Sequence, residues 1–242
     1  KVPRICFVNK MDKVGDDFRH TIRQIEERLV ARSAVMVVPI GRESAYKGIV
    51  DLLALKAYVW NTDDLGAHPD ELPEIPADLK DEVEKSRHDL IERISETDDV
   101  LLEKYLNGEE PTLEELKKAL RRAVITYKLV PIYCGTSLRN KGVQPLLDAV
   151  VDYLPSPLDL GEVSGFNPET QKEVKRKTII DESIAGLAFK IQVDPHVGRL
   201  TYFRVYSGQL NAGSYVYNAS KGKRERIGRL LRMHANKREE VK

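Results

Sequence analysis

Asn9-Lys10-Met11-Asp12 is the stretch of this chain best equipped for recognition chemistry. It follows Ile5-Cys6-Phe7-Val8, a short apolar run of the kind found in buried parallel strands. Open parallel sheets bind ligands beyond the carboxyl ends of their strands, and these four residues fall there. Their types suit guanine. The Asp12 carboxylate accepts two hydrogen bonds, from the N1–H and the exocyclic amine of the base, and adenine has no such donor pair. Asn9 braces the loop and meets the base edge, while Lys10 lays its aliphatic stem along the purine face. A second polar turn, Gly135-Thr136-Ser137-Leu138, follows the apolar run Val130-Pro131-Ile132-Tyr133-Cys134. A backbone N–H in that turn can donate to guanine O6, an acceptor adenine lacks. Two loops at neighbouring strand ends would then converge on one base.

The elements that position these loops follow from hydrophobic spacing. Asp16 or Asp17 caps a helix with apolar positions Phe18, Ile22, Ile25 and Leu29, one face at helical spacing. Val35 to Ile40 reads as a second buried strand, which completes a βαβ unit and a mostly parallel sheet. From Gly41 to about Leu129 the repeat breaks. Ile49 to Trp60 is strand or hairpin, and Ala77 to Leu106 reads as one helix with Val83, Leu90, Ile91 and Ile94 inward. Thr112-Leu113-Glu114-Glu115 has capping-box spacing and opens another helix. The sheet pattern resumes at Val130, and a helix follows through Val143, Leu146, Leu147, Val150 and Leu154. Residues 41–129 are therefore expected to be an α+β insertion into an α/β domain.

Pro155-Ser156-Pro157 is a stiff break and the expected domain boundary. Beyond it, Ala185–Val193, Leu200–Ser207, Ser214–Tyr217 and Arg226–Leu231 read as short strands, with Gly208 and Gly213 bracketing a turn. This spacing suggests a small β-barrel. The formal net charge of +1 hides an asymmetry, because residues 1–154 carry 23 basic and 28 acidic side chains and residues 155–242 carry 16 and 10. Between Asp63 and Glu115 there are 19 acids and 5 bases. That block is a solubilising surface or a docking face. In the second module Lys221, Lys223, Arg224, Arg226, Arg229, Arg232, Lys237 and Arg238 accompany a single acid, Glu225. Such a cluster is a solvated strand face or a site that displaces counterions from a phosphate backbone.

Cys6 and Cys134 are too few and too far apart for a disulfide framework, so buried free thiols in a reducing compartment are expected. No apolar run approaches the ~18 residues of a membrane span. His20, His68, His88, His196 and His234 show no metal-ligand spacing. The chain opens at Lys1-Val2-Pro3-Arg4 directly in strand-like sequence, which reads as a cut edge.

Several long runs together resemble translational GTPases of the elongation factor G type. They are Pro3 to Asp12, Lys141 to Val150, Asp194 to Leu200, Tyr206-Ser207-Gly208 and Arg229 to Ala235. The resemblance implies a Ras-like parallel-sheet GTPase domain without its N-terminal half over residues 1–157, and an incomplete barrel domain over 158–242. It assigns Asn9, Lys10, Met11 and Asp12 to the guanine motif, and Thr136, Ser137 and Leu138 to a loop usually read as Ser-Ala-Leu. It also implies GTP or GDP as ligand, with Mg2+ in the whole protein. Implied partners are ribosomal RNA, met by the basic cluster Lys221 to Arg232, and a ribosomal stalk protein, met by acids between Asp81 and Glu103. A cytoplasmic location follows. Ribosomal protection and termination GTPases share the base-reading motif, but the run Val197 to Gly208 fits the elongation factor better.

Other parts of such a site are missing from the sequence. No G-x-x-x-x-G-K-[ST] run supplies a phosphate cradle, and the threonine-bearing switch with its Mg2+ ligands is absent. Phosphoryl transfer depends on those parts, so the 242 residues alone are expected not to hydrolyse GTP and to contain no catalytic residue. Asp63-Asp64-Leu65-Gly66 matches D-x-x-G, but within the acidic block, and is read as chance. The catalytic histidine of these GTPases follows a D-x-x-G outside this stretch, so none of the five histidines inherits that role. A parallel sheet without its early strands has open edges, and self-association is expected.

Overall fold

The computed structural model describes residues 2–61, 66–168, 170–194, 198–234 and 237–241. Three of the four residues of the D-x-x-G match, Asp63 to Leu65, lie outside them, as do Pro195 to Val197 and Ala235. The chain divides into two compact units, Lys1–Leu154 and Pro155–Lys242.

The first unit opens with β1 (Cys6–Val8), α1 (Phe18–Leu29) and β2 (Ser33–Val35). Asp17 caps α1 by accepting from the His20 N–H, and Val30 ends it in the left-handed region. The antiparallel strands β3 (Val37–Ile40), β4 (Gly48–Asp51), β5 (Lys56–Trp60) and β6 (Pro69–Glu71) follow. Next come α2 (Lys80–Ser95), α3 (Asp99–Leu106), α4 (Leu113–Ile125), β7 (Val130–Cys134) and α5 (Val143–Tyr153). The parallel sheet has the order β1-β7-β2, and the antiparallel sheet the order β3-β4-β5-β6. Because β7 inserts between β1 and β2, the loops after β1 and β7 become neighbours.

The run expected as one strand, Val35 to Ile40, is two strands in two different sheets. Met36 is the joint. Its N–H donates to Ile132 O in the parallel sheet, and its C=O accepts from Leu52 N–H beside the antiparallel one, each at 3.0 Å. Every residue of the run is apolar, so periodicity carried no sign of the change. The expected single helix from Ala77 to Leu106 is likewise split. Glu96 to Asp98 turn the chain, and the Asp98 carboxylate caps α3 by accepting from Leu101 N–H. Thr112 and Glu115 form the reciprocal capping box that opens α4.

One core joins these layers. Leu90 and Ile94 of α2, Leu116 and Leu120 of α4, and Ala34 and Ile132 of the parallel sheet are all almost wholly buried. Helix α5 packs differently from expectation. Ala149 and Tyr153 turn inward, while Leu147 and Val150 face out.

The second unit consists of antiparallel ladders: β8 (Glu162–Phe166) with β9 (Glu173–Lys177), and β10 (Ala185–Asp194) with β11 (Gly198–Ser207). β12 (Tyr215–Asn218) pairs with β13 (Lys223–Arg226), and β14 (Leu230–His234) with β15 (Lys237–Val241). The antiparallel small domain is thus present as four separate ladders. Among the described residues no ladder closes them into a barrel. The expected strand Arg226–Leu231 is divided, since β13 ends at Arg226 and β14 begins at Leu230. Gly208 follows β11 with φ 66°, and a Cβ there would lie 2.4 Å from Glu182 O.

Candidate guanine-reading site

Asn9, Lys10, Met11 and Asp12 leave the carboxyl end of β1, while Gly135 and Thr136 leave that of β7. Ser137–Arg139 form a single 3-10 turn beyond Thr136. Parallel pairing of β1 with β7 aligns Val8 with Cys134, so both loops emerge side by side. The approach is tight. Gly135 N–H donates to Val8 O at 3.0 Å and Met11 N–H to Gly135 O at 3.2 Å. A Cβ on Gly135 would sit 2.4 Å from Lys141 O and 2.7 Å from the Phe7 ring. Gly142 has φ 78°, and a Cβ there would meet Cys134 O at 2.6 Å. Only glycine fits such spaces without moving backbone.

Side chains lock the loops together. Asn9 Oδ1 accepts from Ser137 N–H at 3.0 Å, Ser137 Oγ at 3.1 Å and Lys10 N–H at 2.9 Å. The last bond helps hold Lys10 in its left-handed conformation, φ 68°. Asp12 Oδ1 accepts from Thr136 Oγ1 at 2.9 Å, and Asp12 Oδ2 lies 3.3 Å from Arg139 Nε. Burial pushes the Asp12 carboxyl upward. The Thr136 hydroxyl, its own backbone N–H and the charges of Lys13 and Arg139 outweigh that, so its pKa lies below the ordinary value. Asp12 is therefore a carboxylate at neutral pH, the form that accepts hydrogen bonds.

The seven residues read from sequence thus meet at one place, with differing roles. Lys10 and Leu138 are exposed, Leu138 at 91%, and both remain open to a flat ring. Met11 is 1% exposed and serves as a core peg beneath the loop. The Ser137 N–H, a natural donor to O6, already donates to Asn9. Both Asp12 oxygens are likewise engaged, one by Thr136 and the other by Arg139, although a carboxylate offers about four lone-pair positions and so can accept further hydrogen bonds. Sequence reading missed Arg139, whose only signal was a cation two residues after Ser137.

The basic cluster is less uniform than its sequence suggests. Lys223, Arg224, Arg226, Arg229 and Arg232 are exposed, but Lys221 and Lys223 approach Glu225 Oε1 at 3.4 and 3.9 Å. In the acidic block Glu82 pairs with Arg19, Glu96 with Arg32 and Asp98 with Arg122. Asp81, Glu84, Asp89, Glu92, Asp99 and Glu103 stay exposed. Among the described residues no group of three His, Cys, Asp or Glu side chains could hold a metal ion. No described helix is long and apolar enough to cross a membrane.

Residues 1–156 match the family described as Elongation factor Tu GTP binding domain. The chain belongs to that family. Residues 183–242 match Elongation factor G domain 2. Among solved structures, a crystal structure of a Thermus thermophilus protein is similar, with 29% identity and a TM-score of 0.78. The alignment covers 99% of this chain and 32% of that one, so this chain spans about a third of that protein's length. Domains of the translational GTPase type are thus present in the chain, and a guanine nucleotide is the ligand implied for the first. The paired loops lie at the carboxyl ends of adjacent parallel strands, the end at which open parallel sheets bind ligands.

Proposed function

We propose that this chain is the base-reading part of an elongation factor G-type translocase, a ribosomal GTPase that drives transfer RNA and messenger RNA movement in the cytoplasm. In this reading residues 1–157 are the C-terminal part of the GTP-binding domain, with an insertion about 41–129, and residues 158–242 the second domain. Asp12 takes the N1–H and amine of guanine, the Ser137 turn faces O6, and Lys10 and Leu138 flank the ring. The exposed acids from Asp81 to Glu103 meet a stalk protein, and the basic hairpins meet ribosomal RNA. Self-association of the chain through open strand edges is part of this reading. The sequence has no phosphate loop, so GTP turnover is assigned to residues outside this stretch, as is Mg2+ binding.

One observation carries the reading: Asn9 and Asp12 each bond across to the Thr136–Ser137 turn. This supports a preformed, carboxylate-edged loop pair with the chemistry of guanine. The test is an NMR titration of the chain with guanosine, inosine and adenosine at millimolar concentration. Guanosine is expected to shift the amides of Asp12 and Ser137, inosine less for want of the exocyclic amine, and adenosine not at all. Equal shifts from adenosine and guanosine would overturn the assignment.

A further inference from the structure

The β12–β13 hairpin separates its charges by face. Its register places Tyr215 opposite Arg226, Val216 opposite Glu225, Tyr217 opposite Arg224 and Asn218 opposite Lys223. Directly opposed residues share a face, and faces alternate along a strand. Tyr215, Tyr217, Arg224 and Arg226 therefore stand together on one side. Glu225 lies on the other, where Asn218 Nδ2 donates to it at 3.1 Å and both lysines approach it. The hairpin's one acid thus lies among its lysines and offsets one of their two charges. The tyrosine face carries two cations and no acid of the hairpin. Its rings are open, Tyr215 at 67% and Tyr217 at 47% exposure.

Two exposed phenol rings beside two guanidinium groups form a stacking platform with anion contacts alongside. Rings two residues apart on a strand are about 6.6 Å apart, roughly twice the 3.4 Å rise per base in a stacked strand. Such rings receive bases that are already splayed. A duplex hides its base faces and offers them nothing to stack on. Arg224 and Arg226, about 5 Å across the ladder, lie where the phosphates between splayed bases would run.

We propose that this face binds unpaired RNA, with bases stacked on Tyr215 and Tyr217 and the connecting phosphates held by Arg224 and Arg226. The proposal rests on the reading above that the second unit meets RNA, and it specifies the form of that RNA and the residues that meet it. Lys221 and Lys223, turned to Glu225, are peripheral to the contact.

The test is fluorescence anisotropy of the 242-residue chain with a labelled 12-nucleotide single strand and a 12-base-pair RNA duplex, between 50 and 200 mM salt. The single strand should bind at least tenfold tighter. Tyr215→Val with Tyr217→Val keeps strand propensity and should weaken single-strand binding at least tenfold, with the salt slope unchanged. Tyr215→Phe with Tyr217→Phe should restore it. Arg224→Gln with Arg226→Gln should flatten the salt slope by about 1.4, at 0.7 per phosphate on a single strand. Lys221→Gln with Lys223→Gln should change the slope by less than half of that. If RNA binds but strand and duplex are held equally, or the valine variant binds as wild type, the stacking proposal fails while the RNA reading stands. If neither RNA binds at any salt concentration, the RNA reading itself fails and the face belongs to a protein partner.

Discussion

Asn9→Ala tests the linkage between the loops after β1 and β7 directly. The Asn9 oxygen collects three donors, of which Ser137 N–H and Ser137 Oγ cross from the other loop. A net hydrogen bond contributes about 0.5–1.5 kcal/mol. Asn9 is exposed, so water partly replaces the lost acceptor and the low end applies. The two crossing bonds together then contribute about 1 kcal/mol. Losing the Lys10 bond also removes support for a left-handed non-glycine residue, a conformation that costs about 1 kcal/mol. The expected loss is about 1–2 kcal/mol, or a melting-point drop of roughly 2–8 °C for a unit of this size. Trp60 is the natural reporter. It is the one tryptophan of the chain, is 3% exposed, and donates to Gln144 Oε1 at 3.0 Å within the first unit. Thermal unfolding followed by its fluorescence should show the shift. Ser137→Ala, which deletes only the hydroxyl donor, should cost a few tenths of a kcal/mol. An Asn9→Ala protein with unchanged melting and an unmoved Ser137 amide resonance would refute the linkage.

Two further outcomes follow from geometry elsewhere in the unit. Glu115 is held down to about 2 by the Lys104 ammonium and by the Thr112 N–H and hydroxyl. A depressed folded-state pKa contributes stability above the ordinary value of 4.5 that is lost as pH falls toward about 2. Glu115→Gln should therefore flatten the acid side of the stability curve between those values, measured by urea unfolding at successive pH. At Gly142, with φ 78° and Cys134 O in the path of any Cβ, an alanine should destabilise by about 1–3 kcal/mol. It should also disorder the Ser137 turn in NMR spectra, and a neutral result would show that the turn has room to relax.

What the sequence made legible was whatever local pattern and chain order determine together. The βαβ start was readable because Ile5 to Val8 is uniformly apolar and Phe18, Ile22 and Ile25 keep helical spacing. The Thr112–Glu115 box was readable because capping is a local event. The Met36 joint was not, because a residue buried in two sheets looks like any other apolar residue in a run. Asp98 was overlooked as a cap because apolar positions continue beyond it at Leu101 and Leu102. The inward face of α5 was misjudged for a related reason. Ala149 and Tyr153 compete poorly with Leu147 and Val150 on hydrophobicity, and packing, not hydrophobicity, chose between them. At the site the residues were legible but their bonding was not. Thr136 was read for its backbone, yet its hydroxyl holds Asp12.

Residues between Glu43 and Arg93 tie into the loop after β1 and into α1. Gly15 N–H donates to Glu43 Oε1 at 2.8 Å, tying the segment just after Asp12 to the short helical turn Glu43–Ala45. Farther along α1, Arg19 pairs with Glu82 at 2.6 Å and Glu26 with Arg93 at 2.6 Å. These two ion pairs are unequal. Arg19 is 56% exposed, and a surface pair of that kind contributes little. Arg93 Nη1 also donates to Ser33 O and Ser33 Oγ, both at 2.9 Å, so one guanidinium joins α2 to both α1 and β2. Truncating it would strand several acceptors at once, which costs more than the pair itself supplies. Helix α1 starts from Asp17, close behind Asp12, and is therefore held at both ends by residues of the acidic block.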